Sequence, residues 1–327
     1  MKKNWKEMNF GCPPAFIWLS KAMTSMSCEL TFKVNVDTLE GYLDGVPRLL
    51  NILAKKGIKA SFFFSVGPDK SGKAIHRIFR KGLQAKMLRT RAFSAYGLKT
   101  LLYGTLLKPP MIVASNPGIL KRAVEEGHDC GVHCWDSVLW QDRLLKLTRE
   151  EIRAEFSKAV ELFSDIAGVL PRSCAAPGWQ VSRDSLSVQD ELEFDYASDI
   201  RGAFPFVPSM EGIAFSTLQI PTTLPTLDEL WNAGGINVEN INDRYLDLLE
   251  PGLNVHTICA EIEGGDMSDV FARLIDCCID GEMTFPTLRD VASRFRAAAR
   301  PAICGVEISE IPGRPGKVAI QSCNARE

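Results

Sequence analysis

Apolar and polar residues alternate through LTFKVNV (30–36), with Leu30, Phe32, Val34 and Val36 on one parity and Thr31, Lys33 and Asn35 on the other. A period of two with β-branched residues predicts a core strand. From Leu43 to Lys56 the spacing becomes helical and stops at Gly57, a residue that enters the left-handed conformation without steric cost. The apolar run ASFFF (60–64) predicts a second, buried strand. Thr148 with Glu151 three residues on has the form of a capping box, which opens a helix to about Ala167, closed by Gly168. Strand-then-helix units recur through 172–190, 194–199, 216–220, 253–260 and 266–295. Such alternation predicts the α/β class with a mostly parallel sheet. Residues 1–29 precede the first strand as an N-terminal extension. From residue 296 the chain (RPAICG, IPGRPGK) turns polar and rich in Pro and Gly, which predicts a loosely ordered tail over 296–327.

At 327 residues and 46% hydrophobic, the chain is long enough for one large α/β barrel with additions. Its ten cysteines are scattered without a CxxC pair, and the apolar part near the start is short and broken by Pro13 and Pro14. That pattern fits a reducing cytosol and free thiols better than a secreted, disulfide-bonded chain. No run reaches eighteen apolar residues, so no membrane-spanning helix is predicted.

Charge changes the picture in one region. Between Asp69 and Glu125 there is no acidic residue but there are twelve Lys or Arg; with a net charge of −2 for the chain, the remainder carries −14. Segregation of this kind indicates a face turned to something negative. The insertion at 70–122 starts with helical spacing, Ile75, Ile78, Phe79 and Leu83 on one face and Arg77, Arg80 and Lys81 opposite. Apolar residues then dominate from Phe93 to Leu107, with Tyr96 and Tyr103 among the leucines. A basic rim beside an apolar surface suits an interfacial element on an anionic membrane, with Arg77, Arg80 and Lys81 at the interface. The alternative is a solvated helical flap over the barrel. Nucleic acid is not an expected partner, because the apolar residues are clustered aliphatics in place of spaced stacking aromatics.

Four short segments bear on the chemistry: KVNVDT (33–38), GVHCWDS (131–137), AAPGWQ (175–180) and HTICAE (256–261). With ASFFFSVGPD (60–69), DIRGAFPF (199–206) and QIPTTLPTLDE (219–229), their order and spacing resemble the undecaprenyl-phosphate formamido-arabinose deformylases. These belong to the polysaccharide-deacetylase (NodB-like) group, and the resemblance covers roughly residues 30 to 290. It implies a distorted barrel of seven or eight β/α units, with the motifs at the carboxyl ends of strands.

The resemblance also implies an amide hydrolysis assisted by a divalent metal (zinc, cobalt, nickel or manganese). The metal polarises the carbonyl and activates water, while a base and an acid move the protons. Mapped onto this chain, the ligand aspartate is Asp37 and the first ligand histidine His133. The second ligand histidine falls on Ser137, a poor zinc donor. The base falls on Asn35, the acid on Cys259, and an arginine that holds the base on Gln180. A carboxamide cannot take a proton near neutral pH, so the mapping implies a degenerate site with weak or absent metal. Cys259 could join Asp37 and His133 as a thiolate ligand, or be a buried apolar filler. Trp135 and Trp179 could stack on a sugar or serve packing. Asp199, Arg201 and Glu261, with Glu263, either shape a sugar pocket or form an ion-pair network at the barrel mouth. His256 is expected to point away from the site, and His128 to lie at the surface. The implied partner is a polyprenyl-phosphate-linked sugar, met at the inner face of the cytoplasmic membrane.

Overall fold

The structure is a computed structural model and describes residues 28–74, 100, 102–233, 235–298 and 301–323. Its centre is a parallel sheet of seven strands in the order β8-β5-β4-β3-β2-β1-β9. These are β1 (Glu29–Val36), β2 (Ser61–Ser65), β3 (Asp129–Cys134), β4 (Ser173–Cys174), β5 (Tyr196–Ala197), β8 (Leu218–Gln219) and β9 (Leu253–Cys259). The sheet curls until its edges meet: the backbone N–H groups of Thr223 and Leu224, just past β8, donate to the Val255 carbonyl of β9 at 3.1 Å each. The result is a distorted (β/α) barrel, as the resemblance implied.

The alternation read in β1 decides which side chains face the barrel interior. Phe32, Val34 and Val36 pack outward into the large cluster shared with the helices, together with Phe62 and Phe64 of β2. Phe63, Tyr196, Leu218 and Val255 form a separate cluster inside the barrel. Thr31, Lys33 and Asn35 share the inward parity and are all buried.

Helix α1 (Val46–Lys56) buries Val46, Leu49, Leu50 and Leu53, the one-face spacing of an amphipathic helix, and ends at Gly57 with φ of 68°. Before it the chain makes one wider π turn over Gly41–Gly45. Both glycines are required by close approach. A Cβ on Gly41 would lie 2.3 Å from Glu261 Oε1, and one on Gly45 2.1 Å from the Ala260 carbonyl.

Further helices cover the sheet: α2 (Pro117–Glu125), α3 (Ser137–Arg143), α4 (Arg149–Ala167), α5 (Arg183–Glu191), α6 (Leu227–Ala233), α7 (Ile241–Leu248), α8 (Ser268–Asp280) and α9 (Leu288–Ala298). Helix α4 carries the capping box read from Thr148 and Glu151, and its C-cap Gly168 is left-handed.

Three expectations are corrected. The tail is not loose within the described residues. It forms an antiparallel hairpin of β10 (Ile303–Glu310) and β11 (Lys317–Ser322), which joins β6 (Val207–Met210) and β7 (Ile213–Ala214) in a second sheet, β11-β10-β6-β7. The Pro and Gly residues that indicated disorder are concentrated in the turn, and Val318 and Ala319 are buried. Nor are all thiols free, since Cys304 and Cys323, facing each other at the open end of this hairpin, are disulfide-bonded. His128 is buried instead of exposed: its Nδ1 accepts from Ala60 N at 3.2 Å and its ring meets Phe62 edge-on. Burial there pushes its pKa down to about 4. Residues 1–27, the insertion over 75–99 and its Arg77, Arg80 and Lys81 lie outside the described residues. No described helix is long and apolar enough to cross a membrane.

Candidate active site

The inward parity of β1 runs Lys33, Asn35 and on to Asp37 beyond the strand end. In register, Asn35 sits beside Cys259 of β9 and Phe63 of β2, and Phe63 beside Gly131 of β3. Two residues further along, Asp37 and His133 therefore rise on the same side, and His133 Nε2 lies 3.4 Å from Asp37 Oδ1. The structure thus gathers Asn35, Asp37, His133 and Cys259 at the carboxyl end of the barrel. His256, on the opposite parity, turns outward against Phe32 and Tyr245, and burial lowers its pKa to about 3.

Acidic residues behind this floor hold it in place. Glu261 Oε1 accepts from Asp37 N (2.9 Å), Thr38 N (2.8 Å) and Thr38 Oγ1 (2.9 Å), so one carboxylate fixes the turn that carries Asp37. Burial, then the nearby Asp37 charge, raise its pKa to about 7. Glu263 accepts from Cys259 N at 2.8 Å and is pushed up to about 8 by burial. Burial also raises the Cys259 thiol well above its ordinary value, which keeps it neutral. Asp69 pins Leu39 N and Ser71 N.

The other predicted residues divide between mouth and frame. Ser137 opens α3 just after Asp136, the N-cap, which accepts from Val138 N and Leu139 N and pairs with Lys70 at 2.6 Å. Trp135 is half-buried, and its carbonyl lies 2.4 Å from where a Cβ on Gly67 would sit. Trp179 is buried, with Nε1 donating to Thr222 at 3.1 Å. The Arg201 and Arg314 guanidiniums lie 4.9 and 4.5 Å from its ring, and Ile311 and Val318 of the C-terminal hairpin pack on it. It is a packing pillar, with no open face for a sugar. Gln180 turns to the same hairpin and donates to the Lys317 carbonyl at 2.7 Å. Asp199 accepts from Ala176 N, Gln189 and Gln219. Arg201 makes two bonds of 3.0 and 3.1 Å to the buried Glu229. Both are tied into the frame, Arg201 by an ion pair and Asp199 by a backbone amide and two carboxamides.

One residue escaped the sequence reading. Lys33 is fully buried beneath Asn35, donates to the Ser198 carbonyl and lies 5.5 Å from the Trp179 ring. Desolvation lowers its pKa to about 7. The available signal was a lysine on the inward parity of a strand whose other parity is wholly apolar.

With this geometry in view, comparison with known proteins decides the family. The polysaccharide deacetylase family model matches residues 29–197. A protein of Shewanella sediminis, named as the 4-deoxy-4-formamido-L-arabinose-phosphoundecaprenol deformylase ArnD, is 40% identical over 244 residues, covering 74% of this chain and 79% of its own. The chain belongs to the polysaccharide deacetylase family. It is an ArnD-like member of that family. The Wigglesworthia glossinidia protein of the same name is 32% identical over 280 residues, 85% of this chain and 96% of that one. Among solved structures, polysaccharide deacetylases of Mycobacterium smegmatis (TM-score 0.59, 15% identity, 86% of this chain and 94% of that one) and Pseudomonas aeruginosa (TM-score 0.57, 16% identity, 83% and 91%) share the fold.

Polysaccharide deacetylases are metal-dependent, and the donor set here can be tested against a metal. Asp37 and His133 supply two donors. Ser137, on which the resemblance puts the third ligand, offers a neutral hydroxyl, a weak partner for zinc. Cys259 does not complete the set: among the described residues, no three His, Cys, Asp or Glu side chains are arranged to hold a metal ion. The residues present do not fit the three-ligand centre that the resemblance implies.

Proposed function

We propose that this ArnD-like chain no longer performs amide hydrolysis and instead binds a polyprenyl-phosphate-linked amino sugar without cleaving it. The observation that carries this reading is the floor, where Asn35 and Cys259 lie side by side next to Asp37 and His133; the resemblance assigns a base to position 35, an acid to 259 and a metal ligand to Ser137. A positioned acid or base each contributes on the order of 10²–10⁴ in rate, although such losses are not additive. Loss of a metal ligand costs at least the roughly 10–100-fold in affinity typical of an outer-shell change. Gln180 supports the same reading, because its side chain serves the C-terminal hairpin and not position 35. The names of its relatives supply the ligand class, a formamido sugar on phosphoundecaprenol.

The test is metal analysis of protein purified without chelator. Well under one equivalent of zinc, nickel, cobalt or manganese is expected, with little change in melting temperature on adding metal. Stoichiometric metal lost on Asp37→Ala would favour the second reading, an active hydrolase with an altered metal site, for which the retained approach of Asp37 and His133 speaks.

The same reading places the protein in the cytoplasm, at the inner face of the membrane that carries the lipid. Support comes from the acid-free stretch 70–124 and from Leu102, Leu106 and Leu107, exposed beside Lys108. Anionic vesicles should sediment the protein, and salt should release it. Equal recovery with neutral vesicles would remove this part.

A further inference from the structure

The strand that covers Trp179 is fastened at both ends, and one of the fastenings is a bond that thiols can open. β11 lies over the AAPGWQ segment: its Val318 and Ile320, with Ile311 of the turn, pack on Trp179, and its Lys317 carbonyl accepts from Gln180 at 2.7 Å. At the turn, a Cβ on Gly313 would lie 2.1 Å from the Glu229 carbonyl, and Arg314 reaches the Glu229 carboxylate at 3.4 Å. At the open end stands the Cys304–Cys323 disulfide. The Cys304 sulfur meets Gln321 Nε2 at 3.7 Å, and the same carboxamide accepts from Ala203 N at 2.8 Å and donates to the Phe204 carbonyl at 3.3 Å. The disulfide is therefore in contact with the side chain that anchors β11 to residues 203 and 204.

This pair is also set apart chemically. The other seven described cysteines are free, and Cys277 among them is exposed. Where free thiols prevail, the disulfides that do form are mostly reversible ones. Cys304 is 3% exposed while Cys323 is only half-buried, so the Cys323 sulfur is the one open to attack.

We propose that β11 is a redox-latched strap. With the disulfide closed, the hairpin keeps Trp179 and Gln180 covered; when a dithiol reduces it, β11 lifts about the turn at Arg314 and uncovers them. A thiolate of the dithiol attacks Cys323 Sγ, the S–S bond breaks, and Cys304 leaves with the electron pair and takes a proton. The second thiol of the dithiol then displaces Cys323 from the mixed disulfide. Two electrons and two protons pass from the dithiol, which ends as a disulfide, to the two cysteines. A cross-link at a sequence separation of 19 shifts the opening equilibrium on the order of a hundredfold. The strap does not depend on whether the floor binds or hydrolyses.

The experiment is hydrogen exchange by mass spectrometry on the full chain, first treated with oxidised glutathione, then reduced with thioredoxin, then reoxidised. Thiols are counted by alkylation in each state. Thioredoxin should open one disulfide in the native protein, exchange over 317–322 should rise by about a hundredfold while β1 and β9 stay unchanged, and reoxidation should reverse the rise. Acrylamide quenching of the parent, less that of Trp179→Phe, should increase in the reduced state. The double variant Cys304→Ser, Cys323→Ser should exchange at the reduced rate with or without thioredoxin, and the parent's own redox cycle decides the matter if that variant does not fold. A pair that never forms the disulfide, a bond that yields only after denaturation, or exchange over 317–322 unmoved by reduction would overturn the strap. So would a rise shared equally by β1 and β9, which would make the disulfide a brace for the whole fold.

Discussion

The frame of the site and its floor treat polar groups in opposite ways. In the frame three buried acids are bonded several times over: Glu261 takes three donors, Asp199 a backbone amide and two carboxamides, and Glu229 both Arg201 and Arg314. On the floor, Asn35 Oδ1 and both nitrogens of His133 have no hydrogen-bond partner among the described residues, although His133 Nε2 lies 3.4 Å from Asp37 Oδ1. The frame groups bond to one another and are needed whenever the chain folds. The floor groups would bond to something that arrives. On the non-hydrolytic reading proposed above, that difference would let the barrel persist while floor residues change, since the floor side chains make few of the bonds that the frame depends on.

The largest expected effect would sharpen this contrast. Arg201→Met leaves the buried Glu229 with Arg314 as its cationic partner beside the Thr226 amide, and should cost about 3–5 kcal/mol in urea denaturation. Asn35→Leu, similar in volume, removes an unpaired acceptor and should cost under about 1 kcal/mol. Equal losses at the two positions would break the comparison.

A middle-sized effect lies in the pH dependence of stability. Glu261 and Glu263 are raised on folding, to about 7 and about 8. Their contribution is fully present below the ordinary glutamate value, and it is lost as pH rises through 7 and 8. Lys33 is lowered to about 7, so its contribution is present above the ordinary lysine value and lost as pH falls through 7. Urea midpoints should therefore decline from pH 5 to pH 7 in the parent, the two effects opposing each other between pH 7 and 8, and that decline should flatten in the double variant Glu261→Gln, Glu263→Gln. Lys33→Met should remove the rise between pH 7 and 10. An unchanged profile in either variant would show that these groups are not held as described.

The smallest effect concerns the hairpin. Gln180→Ala removes one bond to the Lys317 carbonyl and should cost about 0.5–1.5 kcal/mol, with faster amide exchange confined to 301–323. Exchange that spreads through β1 and β9 instead would mean that Gln180 braces the floor after all.

Much of this was legible in the sequence because the fold depends on local period. The parity of LTFKVNV separates the helix-facing residues from the floor, and Thr148, Glu151 and Gly168 mark the ends of α4. The motifs gave Asp37 and His133 as neighbours. What stayed hidden depends on distant partners. Glu261 could be read as a pocket residue or as part of a network, because its partners lie more than two hundred residues away. Lys33 is buried at a position where its type predicts solvent. Arg314 sits in a turn whose Pro and Gly hid the strands on both sides, VEIS and VAIQ, that carry it to Trp179.

The most direct test of the central claim compares hydrolysis of a lipid-linked formamido sugar, with metal supplied, by the parent chain and by the variant carrying Asn35→Asp, Ser137→His, Gln180→Arg and Cys259→His together. The account predicts no formate release above background from the parent and measurable release from the fourfold variant, with single changes doing little because base, metal and acid act as a unit. Release by the parent at a rate comparable to the fourfold variant, abolished by Asp37→Ala, would contradict it.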